Sequence, residues 1–248
     1  MNGVVTLKDS SSPAKTAVTA TDGNGNYSFT KAQIQGYVAP FMIEVNYTIG
    51  GTQYYLNSAV TAQDLTSGTA TINVTPLTDL VISNIAGQIA QNVFNNGNFA
   101  TLLTPTALSN GVQSLDVLLQ PVLTQLGLSA TLDLLHSSFN ANGTGLDGLL
   151  DSVNVSVDPT TKAEVITNTL NGASITGTLT APPTTPLSTA NTTSATLTDL
   201  QAITNVFTNF ATLMATNPTA TTPSLLAFLI KPISLIKAKI FQPSCKMS

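Results

Sequence analysis

The stretch TATINVTPLTDLVISNIAGQIAQNV, residues 69–93, decides the fold because its hydrophobic period changes from two to about 3.6. Ile72 and Val74 alternate with polar residues, which is the pattern of a half-buried strand. Beyond them the apolar residues recur about one helical turn apart, at Leu77, Val81, Ile85, Ile89 and Val93. The stretch therefore predicts a strand followed by one helix over 77–93.

The point of change is a helix start. Thr75 followed by Pro76 suits an N-cap and a first helical position, where proline lacks only a donor that would be unpaired anyway. Asp79 would then lie near the positive end of the helix dipole. No linker composition separates Val74 from Leu77, so we expect the two parts of the chain to form one rigid body.

The residues before this point alternate and turn like a small antiparallel β-domain over 1–75. Clusters of Gly, Asn, Asp, Ser and Pro separate short apolar runs, which is typical of strands joined by turns. The candidate strands are 4–7, 17–20, 27–30, 42–48, 53–57 and 70–74. Short strands at this spacing favour a β-sandwich.

The run TAVTATDGNGNYSF, Thr16–Phe29, resembles the signature of the carboxypeptidase-regulatory-like, transthyretin-like β-sandwich modules of secreted bacterial proteins. The matching residues are Thr21, Asp22, Gly25, Asn26, Tyr27 and Phe29. The resemblance implies a sandwich used as a spacer, stabiliser or adhesion module, followed by a helical region of unassigned function. Such modules usually begin with a further strand containing G-x-V. Here Gly3 stands at the very start, so we expect the first strand to be missing.

The region 76–180 is predicted to be mainly helical with one β-hairpin, which makes the fold class α+β. Thr104 and Pro105 repeat the cap-and-proline device and open a second helix, which Pro121 should kink or end. Further helices are predicted over 129–136 and 146–151, and a hairpin over 153–168.

The remaining residues divide into a linker and a tail. Residues 181–195 are rich in Pro, Thr and Ser and are predicted to be a linker. A last helix, opened by a capping-box-like pair of Thr196 and Asp199, and an atypical Lys-rich tail fill 196–248. The tail is interpreted either as foreign to the fold or as a weakly basic amphipathic helix that contacts a membrane surface.

Composition excludes several classes of function. Only 8% of the residues are charged, arginine is absent and the net charge is -4, so nucleic-acid binding is not expected. A surface of neutral hydroxyls and amides is common in extracellular and cell-envelope proteins, and Cys245 alone permits no intrachain disulfide. No signal peptide is present in the chain and no apolar run is long enough for a transmembrane span. Export therefore requires a signal upstream of Met1.

His136 is the only histidine, so any nucleophilic triad must use it as the base. Asp133 lies one turn earlier, and Ser138 is the better placed of the two neighbouring serines because adjacent residues do not face each other. These three are the candidate catalytic residues. The alternative is a half-exposed structural histidine.

Two groups of oxygen ligands are candidates for calcium. Asp22, Asn24 and Asn26 have the alternating spacing of a calcium loop, but the bidentate acid that should follow is replaced by Gln33. Asp147 and Asp151 lie one turn apart on the predicted 146–151 helix. The competing interpretations are a β-turn for the first group and a helix cap with a solvated acid for the second.

Two functional hypotheses follow. The first is an exported or cell-surface binding or structural module without a catalytic centre, whose partner is an envelope or extracellular protein, a glycan or an acyl ligand. The second is an atypical secreted hydrolase of esters or acyl-lactones, with calcium as its candidate cofactor and an acyl pocket between the 77–93 and 105–136 helices.

Overall fold

The computed structural model describes residues 3–190, which form a mixed α+β fold of two antiparallel sheets and four helices. Residues up to Thr189 belong to one compact unit. The elements are β1 Val4–Lys8, β2 Thr16–Ala20, β3 Phe41–Ile49, β4 Thr52–Val60, α1 Pro76–Ala86, α2 Ala90–Asn96, α3 Pro105–Gln125, α4 Gly145–Ser152, β5 Val153–Val157, β6 Ala163–Asn168 and β7 Ser174–Thr178. Within residues 3–190, no helix has the length and apolarity needed to cross a membrane.

The first sheet has the strand order β2-β1-β3-β4. Its apolar face is covered by irregular chain, which contradicts the predicted strands at 27–30 and 70–74. Tyr27 and Phe29 are buried there, and the Tyr27 hydroxyl donates a hydrogen bond to the Ile72 carbonyl at 3.0 Å. The alternation at these positions thus reflects burial against the sheet without a partner strand. The predicted sandwich is not confirmed among the described residues.

The opposite face of this sheet contacts α1 and α2. Met42 and Ala59 of the sheet are fully buried in one apolar cluster with Ile82 of α1 and Val93 of α2. Asn57 of β4 also contacts α1, because its backbone carbonyl accepts a hydrogen bond from the Thr78 hydroxyl at 3.1 Å. The sheet and the first helices therefore share one core.

The start of α1 is confirmed and its predicted length is wrong. Thr75 caps the helix, and its hydroxyl and that of Thr78 each accept the other's backbone N–H. The helix ends at Ala86 because Gly87 takes the left-handed conformation, with φ of 61°. α2 then begins separately at Ala90, so the apolar spacing over 77–93 spans two helices.

The start of α3 is also confirmed, with Thr104 as its cap and Pro105 in its first turn. The helix does not end at Pro121 but continues to Gln125. It packs closely on α1 at Gly111, where an added Cβ would lie 3.0 Å from Val81 Cγ1. The two helices are in direct contact there, and the acyl pocket expected between them is not present at this crossing.

The second sheet has the order β5-β6-β7. Its first two strands are the predicted hairpin, and the third was not predicted. Within the predicted linker, Leu187 is fully buried and its N–H donates to the Leu118 carbonyl at 2.7 Å. The remainder of that linker, the capping pair of Thr196 and Asp199, and the Lys-rich tail lie outside the described residues.

Candidate ligand-binding cleft

The segment 129–136, predicted to be a helix, is a series of turns in which the Asp133 carboxylate replaces helical hydrogen bonds. Asp133 Oδ1 accepts the backbone N–H groups of Leu135 at 3.1 Å and His136 at 3.0 Å. An aspartate that bonds nearby backbone N–H groups competes with helix formation. The turn consequently places the carboxylate and the imidazole side by side.

Asn73 anchors this turn to the strand-to-helix joint. Its backbone N–H donates to the Leu135 carbonyl at 2.7 Å. Its side-chain amide donates to the carbonyls of Leu134 at 3.1 Å and Ser137 at 2.8 Å. Because Asn73 is fully buried, these hydrogen bonds fix the position of His136 relative to α1.

The His136 imidazole lies between two carboxylates. Its Nδ1 is 2.8 Å from Asp133 Oδ2, and its Nε2 is 3.5 Å from Asp64 Oδ1. The hydrogen bond with Asp133 raises the pKa of His136, burial opposes this, and the charges of both acids add to the rise. Burial by itself would raise the pKa of Asp133, but the hydrogen bond and charge of His136 outweigh it and lower that pKa. Both acids therefore stabilise the protonated form of the imidazole.

Asp64 is held in place by the loop that follows β4. Its Oδ2 accepts the Thr61 backbone N–H at 2.7 Å and the Thr61 hydroxyl at 2.8 Å. This leaves Oδ1 directed to the imidazole, at a distance longer than a good hydrogen bond. The His136 Nε2 is buried and has no hydrogen-bond partner.

Asp116 projects from α3 into the same region. It is only 5% exposed, and its Oδ1 has no hydrogen-bond partner among the residues that the structure describes. Burial, with the charge of Asp133 as the smaller cause, raises the pKa of Asp116 to about 7. A buried carboxylate without a partner is costly, so this side chain either carries a proton or requires a positive group beside it.

These four titratable side chains line one cleft of about 640 Å³. The cleft lies between the 61–64 loop, the first half of α3 and the 131–136 turn. Its apolar lining residues are Leu108, Val112, Leu132 and Leu135. No lysine of the described part of the chain lines it, so the cleft combines acidic groups with an apolar wall.

The triad predicted from the sequence is only partly assembled. Asp133 and His136 form a pair in the cleft, as expected. Ser138 is exposed, does not line the cleft and makes no hydrogen bond with His136. The pair therefore has no serine nucleophile at Nε2 in the described part of the chain.

The first calcium candidate forms a hydrogen-bonded turn. Asp22 Oδ1 accepts the backbone N–H groups of Asn24 and Asn26, each at 2.8 Å. Asp22 Oδ2 accepts the side-chain amide of Asn26 at 3.2 Å. These bonds lower the pKa of Asp22, and the geometry is that of the competing turn interpretation.

The second calcium candidate lies on α4. Asp147 Oδ2 accepts the N–H groups of Asn142 and Gly143 at 2.7 and 2.6 Å and so closes the preceding loop. Asp151 lies exposed one turn further along the helix. Across residues 3–190, no group of three or more His, Cys, Asp and Glu side chains is arranged to hold a metal ion.

The sequence analysis missed Asp64 and Asp116. Asp116 carries a signal that could have identified it, because it follows Leu108 and Val112 at four-residue steps on the apolar face of α3. A single acid in such a stripe is unexpected unless it has a function or a partner. Asp64 lies in a loop and has no comparable signal, since its approach to His136 depends on the tertiary fold.

Comparisons with protein-family models, with curated proteins and with solved structures found no match.

Proposed function

We propose that this protein is an exported or cell-surface ligand-binding module, and that the cleft lined by Asp64, Asp116, Asp133 and His136 is its binding site. The observation that carries the proposal is Asp116, a nearly buried acid with an unpartnered oxygen on the wall of an open cleft. A purely structural acid would be expected to have its hydrogen bonds satisfied by the protein. A ligand that enters the cleft would supply them.

The state of His136 favours binding over catalysis. A general base must be unprotonated at the working pH. The acids on both sides of the imidazole raise its pKa and so favour the protonated form. The same arrangement of His136 and its two acids is well suited to placing fixed charges on the wall of the cleft, where they orient a ligand.

The exported location is supported by composition. Charged residues make up 8% of the chain, and the surface is dominated by neutral polar groups. The resemblance of Thr16–Phe29 to carboxypeptidase-regulatory-like modules supports the same location and a non-catalytic role for the first sheet. Membership of that family remains a proposal, and N-terminal sequencing of the protein recovered from culture medium or envelope fractions tests the location.

Ligand-observed NMR with a fragment library tests the binding function. The library contains cationic, neutral and anionic amphipathic compounds, and binding in the cleft is recognised by a change in the His136 imidazole signals. Because His136 is the only histidine, those signals need no assignment. At least one class is expected to shift them in the wild type. A library in which no compound shifts them would overturn the proposal.

A hydrolase of esters or acyl-lactones is the second candidate, and the Asp133–His136 pair is the observation that favours it. In such a reaction His136 Nε2 would accept a proton from water while the water oxygen bonds to the carbonyl carbon. The ester C–O bond would then break, and the departing alkoxide would take the proton back from the imidazolium. Because both acids favour protonated His136, this activity should increase as the pH rises.

A chromogenic ester and acyl-lactone screen at pH 9 separates the two candidates. It compares wild type with His136→Ala, and each with and without EDTA. The binding proposal expects no turnover above buffer in any sample. Turnover that disappears in His136→Ala or in EDTA would establish the hydrolase instead, and the EDTA arm would show whether calcium takes part.

A further inference from the structure

We propose that the ligand of the cleft is an amphipathic organic cation, a protonated amine with a short apolar chain, whose ammonium group lies against Asp116 and whose chain lies along the apolar lining. This inference rests on the proposed binding function and names the chemical class of its ligand. It is carried by the unpartnered oxygen of Asp116, the sign of the surrounding charges and the shape of the cleft.

The charges that face the cleft select a cation. Three carboxylates, from Asp64, Asp116 and Asp133, line it, and the one positive group is the His136 imidazole. That imidazole is already held by Asp133 at Nδ1, with Asp64 at Nε2. Among residues 3–190, Asp116 is left without a countercharge and no lysine lines the cleft. A bound ammonium group would supply both the missing charge and a hydrogen-bond donor.

The geometry favours an organic head group over a bare metal ion. Asp64 is committed to Thr61 through Oδ2, and Asp133 is committed to His136 and to two backbone N–H groups. Calcium needs six to eight oxygen ligands, several of them free carboxylate oxygens. A primary ammonium group has three N–H donors, and it can bind with one unpartnered acid oxygen as its charged partner. Asp116 therefore suits an ammonium group better than it suits calcium.

The apolar wall accounts for the rest of the ligand. Leu108 and Val112 line the cleft from the helical turns preceding Asp116, and Leu132 and Leu135 line it from the facing turn. An alkyl chain leaving the ammonium group can remain in contact with them, which removes its methylene groups from water. A cleft of about 640 Å³ has ample room for a chain of about five carbons.

Isothermal titration calorimetry with three probes of the same shape tests the charge preference. The probes are n-pentylamine, n-pentanol and sodium hexanoate, each added to the full chain at pH 8.5 in borate buffer, because amine buffers would compete and phosphate would precipitate calcium. We expect the amine to bind at least tenfold more tightly than the alcohol, with no measurable binding of the carboxylate. Calcium chloride is added as a fourth probe and is expected to bind more weakly than the amine.

The Asp116→Asn substitution tests the assigned contact, with Asp151→Asn as the control. Both remove one negative charge, but Asp151 is exposed on α4 and outside the cleft. Affinity for n-pentylamine should fall at least tenfold in Asp116→Asn and less than twofold in the control. In the wild type, affinity should rise about tenfold from pH 6 to pH 8.5, because burial raises the pKa of Asp116 to about 7 and the carboxylate gains its charge over that range.

The wild-type comparison decides the inference even if Asp116→Asn fails to fold. Equal or tighter binding of n-pentanol, hexanoate or calcium would overturn the organic cation, and so would the absence of n-pentylamine binding. The fragment library decides the binding function separately. A library in which only neutral or anionic compounds shift the His136 signals would refute the cation class and leave the binding module standing.

Discussion

The contact between the first sheet and α1 and the cleft each contain one buried acid close to a second acid, and the two places differ in how these acids are partnered. Between the first sheet and α1, Asp79 Oδ1 accepts the Asn57 backbone N–H at 2.8 Å and its amide at 3.1 Å, with Glu44 nearby in the same contact. In the cleft, Asp133 is paired with His136, and Asp116 has an unpartnered oxygen. Burial raises the pKa of Glu44 in the first region and of Asp116 in the second, in each case to about 7.

The difference between them is access. Glu44 also has an unpartnered oxygen, but it does not line the cleft and packs between β-strand and helix. The unfavourable free energy of burying this oxygen therefore lowers the stability of the fold. Asp116 also has an unpartnered oxygen, but this residue lines the cleft. A raised pKa alone does not distinguish a structural acid from a ligand-binding one. The position of the residue does, because Asp116 lines the cleft and Glu44 does not.

The largest expected effect lies where the two regions are joined. Replacing Asn73 by Ala removes the amide donors to the Leu134 and Ser137 carbonyls in a buried environment. We expect a loss of about 2–3 kcal/mol in the free energy of unfolding, measured by urea denaturation. Exposed Asn98 provides the matched control, and its Ala variant should lose less than about 0.5 kcal/mol. Equal stability of the two variants would show that the anchor is unimportant.

The sheet–α1 contact is tested by Glu44→Gln. Because burial, followed by the charge of Asp79, raises the folded-state pKa of Glu44 to about 7, the wild type loses stability as the pH rises from about 4.5 through 7. Gln does not titrate, so the variant should be about 1–3 kcal/mol more stable than wild type at pH 8. At pH 4 the difference should vanish. Urea unfolding at both pH values measures this, and a destabilised variant at pH 8 would contradict the assignment.

The cleft is tested in the same way by Asp116→Asn, and here a ligand should reverse the outcome. Without ligand the variant should be about 1–2 kcal/mol more stable than wild type at pH 8, because burial raises the pKa of Asp116 to about 7. With saturating n-pentylamine the wild type should gain stability and the variant should not. Thermal unfolding with and without the amine measures both. If Glu44→Gln lost an amine response as well, the contrast between the two regions would fail.

The smallest expected effect on stability is that of Asp133→Asn. The hydrogen bond with Asp133 is the main cause of the raised pKa of His136, so the substitution should lower that pKa toward 6.5. The pair stabilises the fold at low pH and loses this contribution as the pH rises through the folded-state pKa of His136. Partial exposure limits the loss to at most about 1 kcal/mol at pH 5. An NMR titration of the imidazole measures the pKa, and an unchanged value would exclude Asp133 as the cause.

Local sequence devices were reliable predictors of where elements begin. Thr75 with Pro76 and Thr104 with Pro105 were predicted as helix starts and are so, because capping depends on a few adjacent residues. The hairpin of β5 and β6 was predicted for the same reason, since its turn and alternation are local.

Predictions that depended on tertiary partners were the ones that failed. The apolar residues alternate with polar ones at 27–30 and 70–74 because the apolar side chains are buried against the sheet, and such burial does not require a partner strand. The spacing over 77–93 continues through Gly87, whose left-handed conformation ends α1. The approach of Asp64 to His136 joins residues far apart in the chain, and no local pattern encodes it.

The most direct test of the cleft is the pKa of His136 measured by NMR with and without n-pentylamine. An ammonium group held against Asp116 would repel the imidazolium and so lower the pKa of His136, because like charges disfavour the protonated form. We expect a clear downward shift of this pKa in the wild type and none in Asp116→Asn. An unchanged pKa in the wild type at saturating amine would contradict it.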